Sequence, residues 1–155
     1  MNRRFFFFWI FGTLLVAQDY HQSHSDAWDF SSINDAAMAL YGREKFATMQ
    51  KSDAVKLEVP TVIKNPERIP ILVRTTLEAK TIAIFQDRQE QSLVAVFDLR
   101  VEPSARSASK DEVALAFEMQ MESKGTLFAV VEATDGHLYY TRGYADITCL
   151  ECMAK

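Results

Sequence analysis

A chain of 155 residues with 17 Lys and Arg against 21 Asp and Glu carries a net charge of −4, and 48% of it is apolar. That length and composition suit one globular domain with an ordinary core. The acidic balance excludes non-specific nucleic-acid binding, which needs a basic face to displace counterions, and two cysteines are too few for a disulfide scaffold.

Residues 1–25 read as an export signal of twin-arginine type. Asn2-Arg3-Arg4 is the positive end, and residues 5–17 are apolar apart from Gly12 and Thr13. Such a run is short for a membrane span and suits a signal core. Small residues at Ser23, Ser25 and Ala27 offer cleavage sites. The mature chain is therefore expected to begin between Gln18 and Trp28, in the periplasm, with no stable membrane association after cleavage. His21 and His24 fall in or beside this segment, and with His137 they form no metal constellation. No metal or cofactor is expected.

Residues 26–52 form a helical N-terminal segment. Ser31, Ser32 and Asn34 are candidate caps, and Ile33, Ala37, Leu40 and Tyr41 recur at helical spacing. Gly42 interrupts the pattern, so the helix should end near Leu40 and pack on the domain behind it.

From residue 53 the period changes to two. Val55, Leu57 and Val59 alternate with Lys56 and Glu58 until Pro60 ends the run. Further strands are predicted over residues 69–76, 81–87, 92–99, 112–122, 126–134 and 137–147. Pro70 suits an edge strand or a strand start. Residues 100–110, rich in Ser, Ala and Arg, read as a loop. Residues 112–122 alternate strictly, with Val113, Leu115, Phe117, Met119 and Met121 on one face. The paired methionines are core residues on this reading, not a soft-metal stripe. Residues 126–134 are apolar on both faces, as a central strand would be. Asp135-Gly136 predicts a tight hairpin with positive φ at both positions. Seven strands without intervening helices predict an all-β, immunoglobulin-like antiparallel β-sandwich over residues 53–148, preceded by one short helix.

Both cysteines lie in the tail, residues 149–155. A thiol near a chain end is expected to be exposed, and exposed cysteines are avoided unless paired or used. In an extended tail the α-carbons of Cys149 and Cys152 lie about 10 Å apart. A disulfide needs them within about 7 Å, so pairing requires a turn at Leu150-Glu151. Three uses stay open: a single reactive thiol, a redox dithiol or soft-metal site with Met153, and a structural disulfide. Met153 stands where a c-type haem site would need histidine.

Several stretches carry a resemblance. Val55-Lys56-Leu57-Glu58-Val59-Pro60, the polar loop Lys64-Asn65-Pro66-Glu67-Arg68, Ile69-Pro70-Ile71-Leu72-Val73, Ile82-Ala83-Ile84-Phe85, and residues 128–136 occur in an order that resembles the SoxY family. SoxY is the sulfur-carrier subunit of the periplasmic thiosulfate-oxidising system. The resemblance implies a non-enzymatic carrier, with substrate attached covalently to Cys152 and processed by partner Sox enzymes. It also implies a heterodimer with a SoxZ-like β-sandwich subunit. An acidic, strand-rich surface around Glu118, Gln120 and Glu122 offers that partner a sheet face or edge. Cys149 falls where the family has an apolar residue, and Leu150, Glu151, Met153 and Ala154 replace its glycines. Glycine gives a chain freedom and slenderness, so this tail should be stiffer and bulkier. The reading from a different class is a periplasmic redox dithiol or copper-delivery protein that uses Cys149 and Cys152 together.

Overall fold

The computed structural model describes residues 20–87, 90–99 and 112–147. Two helical turns, α1 (Tyr20–Ser23) and a 3-10 turn (Ser25–Trp28), lead into α2 (Ile33–Tyr41) and α3 (Arg43–Phe46). Ser32 caps α2, its Oγ accepting the backbone N–H of Asp35. Gly42 separates α2 from α3 with a φ of +83°, a value that favours glycine. No helix among the described residues is long and apolar enough to cross a membrane.

Among the described residues eight strands follow: β1 (Gln50–Lys51), β2 (Val55–Glu58), β3 (Ile69–Thr75), β4 (Ala79–Gln86), β5 (Leu93–Asp98), β6 (Val113–Met119), β7 (Gly125–Ala133) and β8 (Leu138–Ala145). They form a five-stranded sheet in the order β1-β8-β7-β4-β5 and a three-stranded sheet in the order β2-β3-β6. The architecture is the expected antiparallel sandwich, with a parallel strand pair where Gln50 and Lys51 pair with Tyr139 and Tyr140. That pair of residues was expected at the end of the helical segment.

The space between the sheets is filled by residues that alternate along each strand. Val55, Ile71 and Val73 from the small sheet meet Ile82, Ile84, Leu127 and Val131 from the large one, all buried. Met119 and Met121 lie in this core at 6% and 1% exposure, as their two-residue spacing requires. The outer face of the large sheet carries a second apolar layer. Ala83, Phe85, Val130 and Leu138 face Ala27, Ala36, Ala37 and Leu40 of the helical segment. β7 is therefore apolar on both faces and central, as the sequence indicated.

Two local expectations change. β3 is the middle strand of its sheet, so Pro70 is tolerated by standing second in the strand and not by an edge. In the β7–β8 hairpin, only Gly136 has positive φ, at +88°. The Gly136 N–H donates to Ala133 O and the Ala133 N–H to His137 O. This is a three-residue loop closed by a left-handed glycine, and Asp135 needs no strained conformation. Asp135 instead accepts from the His137 N–H at 2.8 Å and the Tyr139 hydroxyl at 2.8 Å. These donors, the backbone N–H first, hold its carboxyl below the usual range, and the same contact raises the Tyr139 phenol.

Candidate functional site

The residues singled out for chemistry, Cys149 and Cys152, lie outside the described residues; the structure defines the root from which their tail departs. Ala145 at the end of β8 is buried and pairs with Gly125. Two residues on, Ile147 makes a parallel bridge with Ile63, whose side chain is buried in the inter-sheet core. Ile147 itself packs against that core. The chain is thus held by pairing on both sides of β8 just before the tail begins.

Neighbouring segments are fixed to the same end of the sandwich. The Met121 N–H donates to Pro66 O, and the Arg68 guanidinium pairs with Glu118 at 2.8 Å. Along the adjoining seam, β2 closes over β8. A Cβ on Gly143 would sit 3.0 Å from Val59 Cγ2 and 3.4 Å from Leu57 Cδ2, so glycine at this position lets the two sheets approach.

At the opposite end lies a polar network that the sequence did not reveal. Glu132, 8% exposed next to the last residue of the mostly apolar β7, accepts from Lys45 Nζ on α3 and from Thr81 Oγ1 on β4. Tyr41 OH lies 3.4 Å from Thr81 Oγ1, and burial is the chief cause that raises its phenol pKa. A lone acid in a strand buried on both faces was the available signal, because a buried charge requires a partner. Lys45 stands 87 positions away, so its identity was not readable.

Concavities lie among the described residues. One of about 460 Å³ lies over the Lys45–Glu132 pair and is walled by Tyr20, His24 and Tyr41. A second, about 420 Å³, lies between the start of α2 and the large sheet, against Ile33, Met49, Phe128 and Tyr140. A third, about 520 Å³ and shallow, lies on the outer face of the small sheet around Pro60, Pro70, Leu72 and Ala116. Among the described residues, no group of three or more His, Cys, Asp or Glu is placed to hold a metal. The described geometry offers anchorage and surface, and Cys149 and Cys152 lie in the tail beyond the described residues.

The profile of the family described as sulfur oxidation protein SoxY matches residues 38–152, a span that ends on Cys152. The chain belongs to the SoxY family. The fold agrees: the structure of the sulfur carrier protein SoxY from Chlorobium limicola f thiosulfatophilum is similar with a TM-score of 0.56 and 28% identity. That likeness covers 76% of this chain and 97% of the Chlorobium chain. A candidate superoxide reductase from Thermotoga maritima has a TM-score of 0.50 at 14% identity, over 65% of this chain and 95% of its own; that is a likeness of fold alone. No curated protein matches the chain. The SoxY match begins inside α2, so it takes in the whole sandwich and leaves α1, the 3-10 turn and the start of α2 outside.

Proposed function

We propose that this SoxY-family chain is a non-enzymatic carrier of sulfur intermediates and that Cys152 is the attachment atom. The observation that carries the reading is the family match across the sandwich and into the tail as far as Cys152. The likeness to a protein described as a sulfur carrier supports it. So does the architecture, in which β8 is anchored by the Ile63–Ile147 bridge immediately before the cysteine-bearing segment.

The chemistry asked of the chain is small. A thiolate is the nucleophile. Its sulfur joins the sulfane sulfur of thiosulfate, and the thiol proton and two electrons pass to an oxidising Sox partner enzyme. Water then cleaves the bond to the sulfonate sulfur, releasing sulfate and leaving the sulfane sulfur on Cys152. Glu151 beside Cys152 opposes ionisation, so activation falls to the partner enzyme. The protein contributes an attachment point and recognition surfaces. The twin-arginine-like stretch in residues 1–25 supports export, and on this reading the chemistry takes place in the periplasm. There the carrier pairs with a SoxZ-like β-sandwich subunit.

The test is intact mass after incubation with thiosulfate and the oxidising partner. Cys152→Ser is expected to abolish the added mass. Cys149→Ser is expected to keep it, with faster loading under oxidising conditions because a Cys149–Cys152 disulfide can no longer form. Equal loss in both variants would replace the carrier reading with the paired redox or copper reading.

A further inference from the structure

Cleavage of an export signal needs a small residue just before the cut and a small or apolar one two positions earlier. For a mature chain that begins between Gln18 and Trp28, three stretches meet this pattern: Leu15-Val16-Ala17, Ser23-His24-Ser25 and Ser25-Asp26-Ala27. Residue types alone do not choose between them. A peptidase takes its substrate as an extended strand, so the scissile bond must lie in backbone that the fold does not hold.

Two of the three lie in folded backbone. Ser23 ends α1, where the His24 N–H donates to Tyr20 O at 3.0 Å. Ser25 and Ala27 belong to the 3-10 turn, in which the Ala27 N–H donates to His24 O and the Asp29 N–H to Asp26 O. Ala27 has no exposed surface and sits in the outer apolar layer with Ala36, Ala37 and Phe85. Tyr20 and Trp28 pack against that layer. The rings also hold the segment to itself, with Tyr20 stacked on His24 at 5.7 Å and His21 5.1 Å from Trp28. Just beyond, the Ser92 N–H donates to Phe30 O and ties the segment to the chain before β5.

A cut after Ser25 or Ala27 would discard these contacts. Both would remove Tyr20 and His24, which wall the concavity over the Lys45–Glu132 pair. The second would also take Ala27 out of the apolar layer. The Ala17–Gln18 bond precedes every one of these packed residues.

We propose that the chain is processed at the Ala17–Gln18 bond, so that α1 and the 3-10 turn belong to the mature domain. This rests on the export reading above and deepens it, because a twin-arginine route carries a domain that has already folded. The step is a hydrolysis by a signal peptidase. Water adds across the peptide bond, leaving a carboxylate on Ala17 and an amine on Gln18, and no other reactant takes part. The fold selects the site by withholding the two downstream alternatives.

The experiment exports the full chain from a bacterium with a twin-arginine pathway. An N-terminal glutamine cyclises with loss of ammonia, so the product is read by intact mass with fragmentation. Wild type should begin at Gln18. Ser25 is exposed, and Ser25→Arg removes a required small residue from both downstream stretches. It should leave the start and the amount of mature protein unchanged. Ala17→Arg should abolish maturation and leave precursor. In the exported protein the amides of Ala27 and Asp29 should be protected from hydrogen exchange. A product that begins at another internal residue, Asp26 and Trp28 above all, overturns the site and leaves export standing. Trimming of Ala17→Arg at Asp26 or Trp28 does the same. A product that keeps Met1 overturns the export reading and this site with it. A start at Gln18 with Ala27 and Asp29 unprotected overturns the assignment of the segment to the folded domain.

Discussion

The five-stranded sheet is buried on both faces, and the two layers it separates are built from different materials. Toward the small sheet it presents Ile82, Ile84, Leu127 and Val131, which interlock with Ile69, Ile71, Val73 and Leu115. Toward the helices it meets Ala27, Ala36 and Ala37, small side chains that let α2 lie close, with Leu40 as the main aliphatic insert. The first layer joins elements from β2 to the residues around Ile147, so it also holds the tail root and the β6 edge. The second is a cover, tied down by the Lys45–Glu132 pair. The family match includes the whole of the first and only part of the second. The part shared with the family is thus the part that carries the tail.

The largest expected effect comes from breaking the inter-sheet layer. Ile84 is fully buried at the centre of β4, paired with Ala129 on one side and Ala95 on the other. Ile84→Ala leaves a cavity that neither sheet can close and should cost about 4 kcal/mol. Denaturant unfolding should show one cooperative transition at a lower midpoint, with the same slope. A loss below about 1 kcal/mol would mean that this layer is not the one that holds the fold.

A smaller and more local effect is expected in the helical cover. Leu40→Ala removes the principal aliphatic side chain of α2 from between Ala83, Phe85 and their neighbours. A peripheral helix can settle toward the sheet, so the cost should fall near the low end for such truncations, about 2 kcal/mol. The comparison is sharpened by hydrogen exchange. Amides of α2 and α3 should exchange faster, while those of β3, β4 and β7 keep their protection. If β3 and β6 lose protection as well, the two layers form one cooperative unit and the contrast drawn here fails.

The same division governs what could be read from the sequence. The inter-sheet layer was legible because its residues sit at a period of two: Val55 and Leu57, Ile69, Ile71 and Val73, Leu115, Phe117 and Met119. The helix was legible from its capping serine and from Gly42, where the chain turns to positive φ. β1 was not, since Gln50 and Lys51 are two polar residues whose extended form depends on a parallel partner 89 positions on. Strand order was equally hidden, so an acidic stretch around Glu118 could be noted without knowing that it belongs to an edge. The hairpin was placed correctly, but its type depended on donors that arrive only on folding. Cys149 and Cys152 were found from composition and position, and they lie outside the described residues.

The smallest expected effect lies in that hairpin, which closes β7 onto β8 at the end away from the tail. The contacts that hold the Asp135 carboxyl below its ordinary pKa favour its ionised form in the folded state. The resulting stabilisation is present above the unfolded aspartate pKa and is lost as pH falls through the folded value. Asp135 is exposed, so solvent screens the effect and the contribution is small. Asp135→Asn keeps an oxygen that can accept the His137 N–H and removes the charge that strengthens that bond and the one from Tyr139. The variant should be slightly less stable than wild type at neutral pH, and the gap should close as pH falls through the lowered pKa of the folded carboxyl. Thermal unfolding of both proteins across that range measures it. A gap that stays constant or widens on acidification would mean that the hairpin carboxylate contributes no charge-dependent stability.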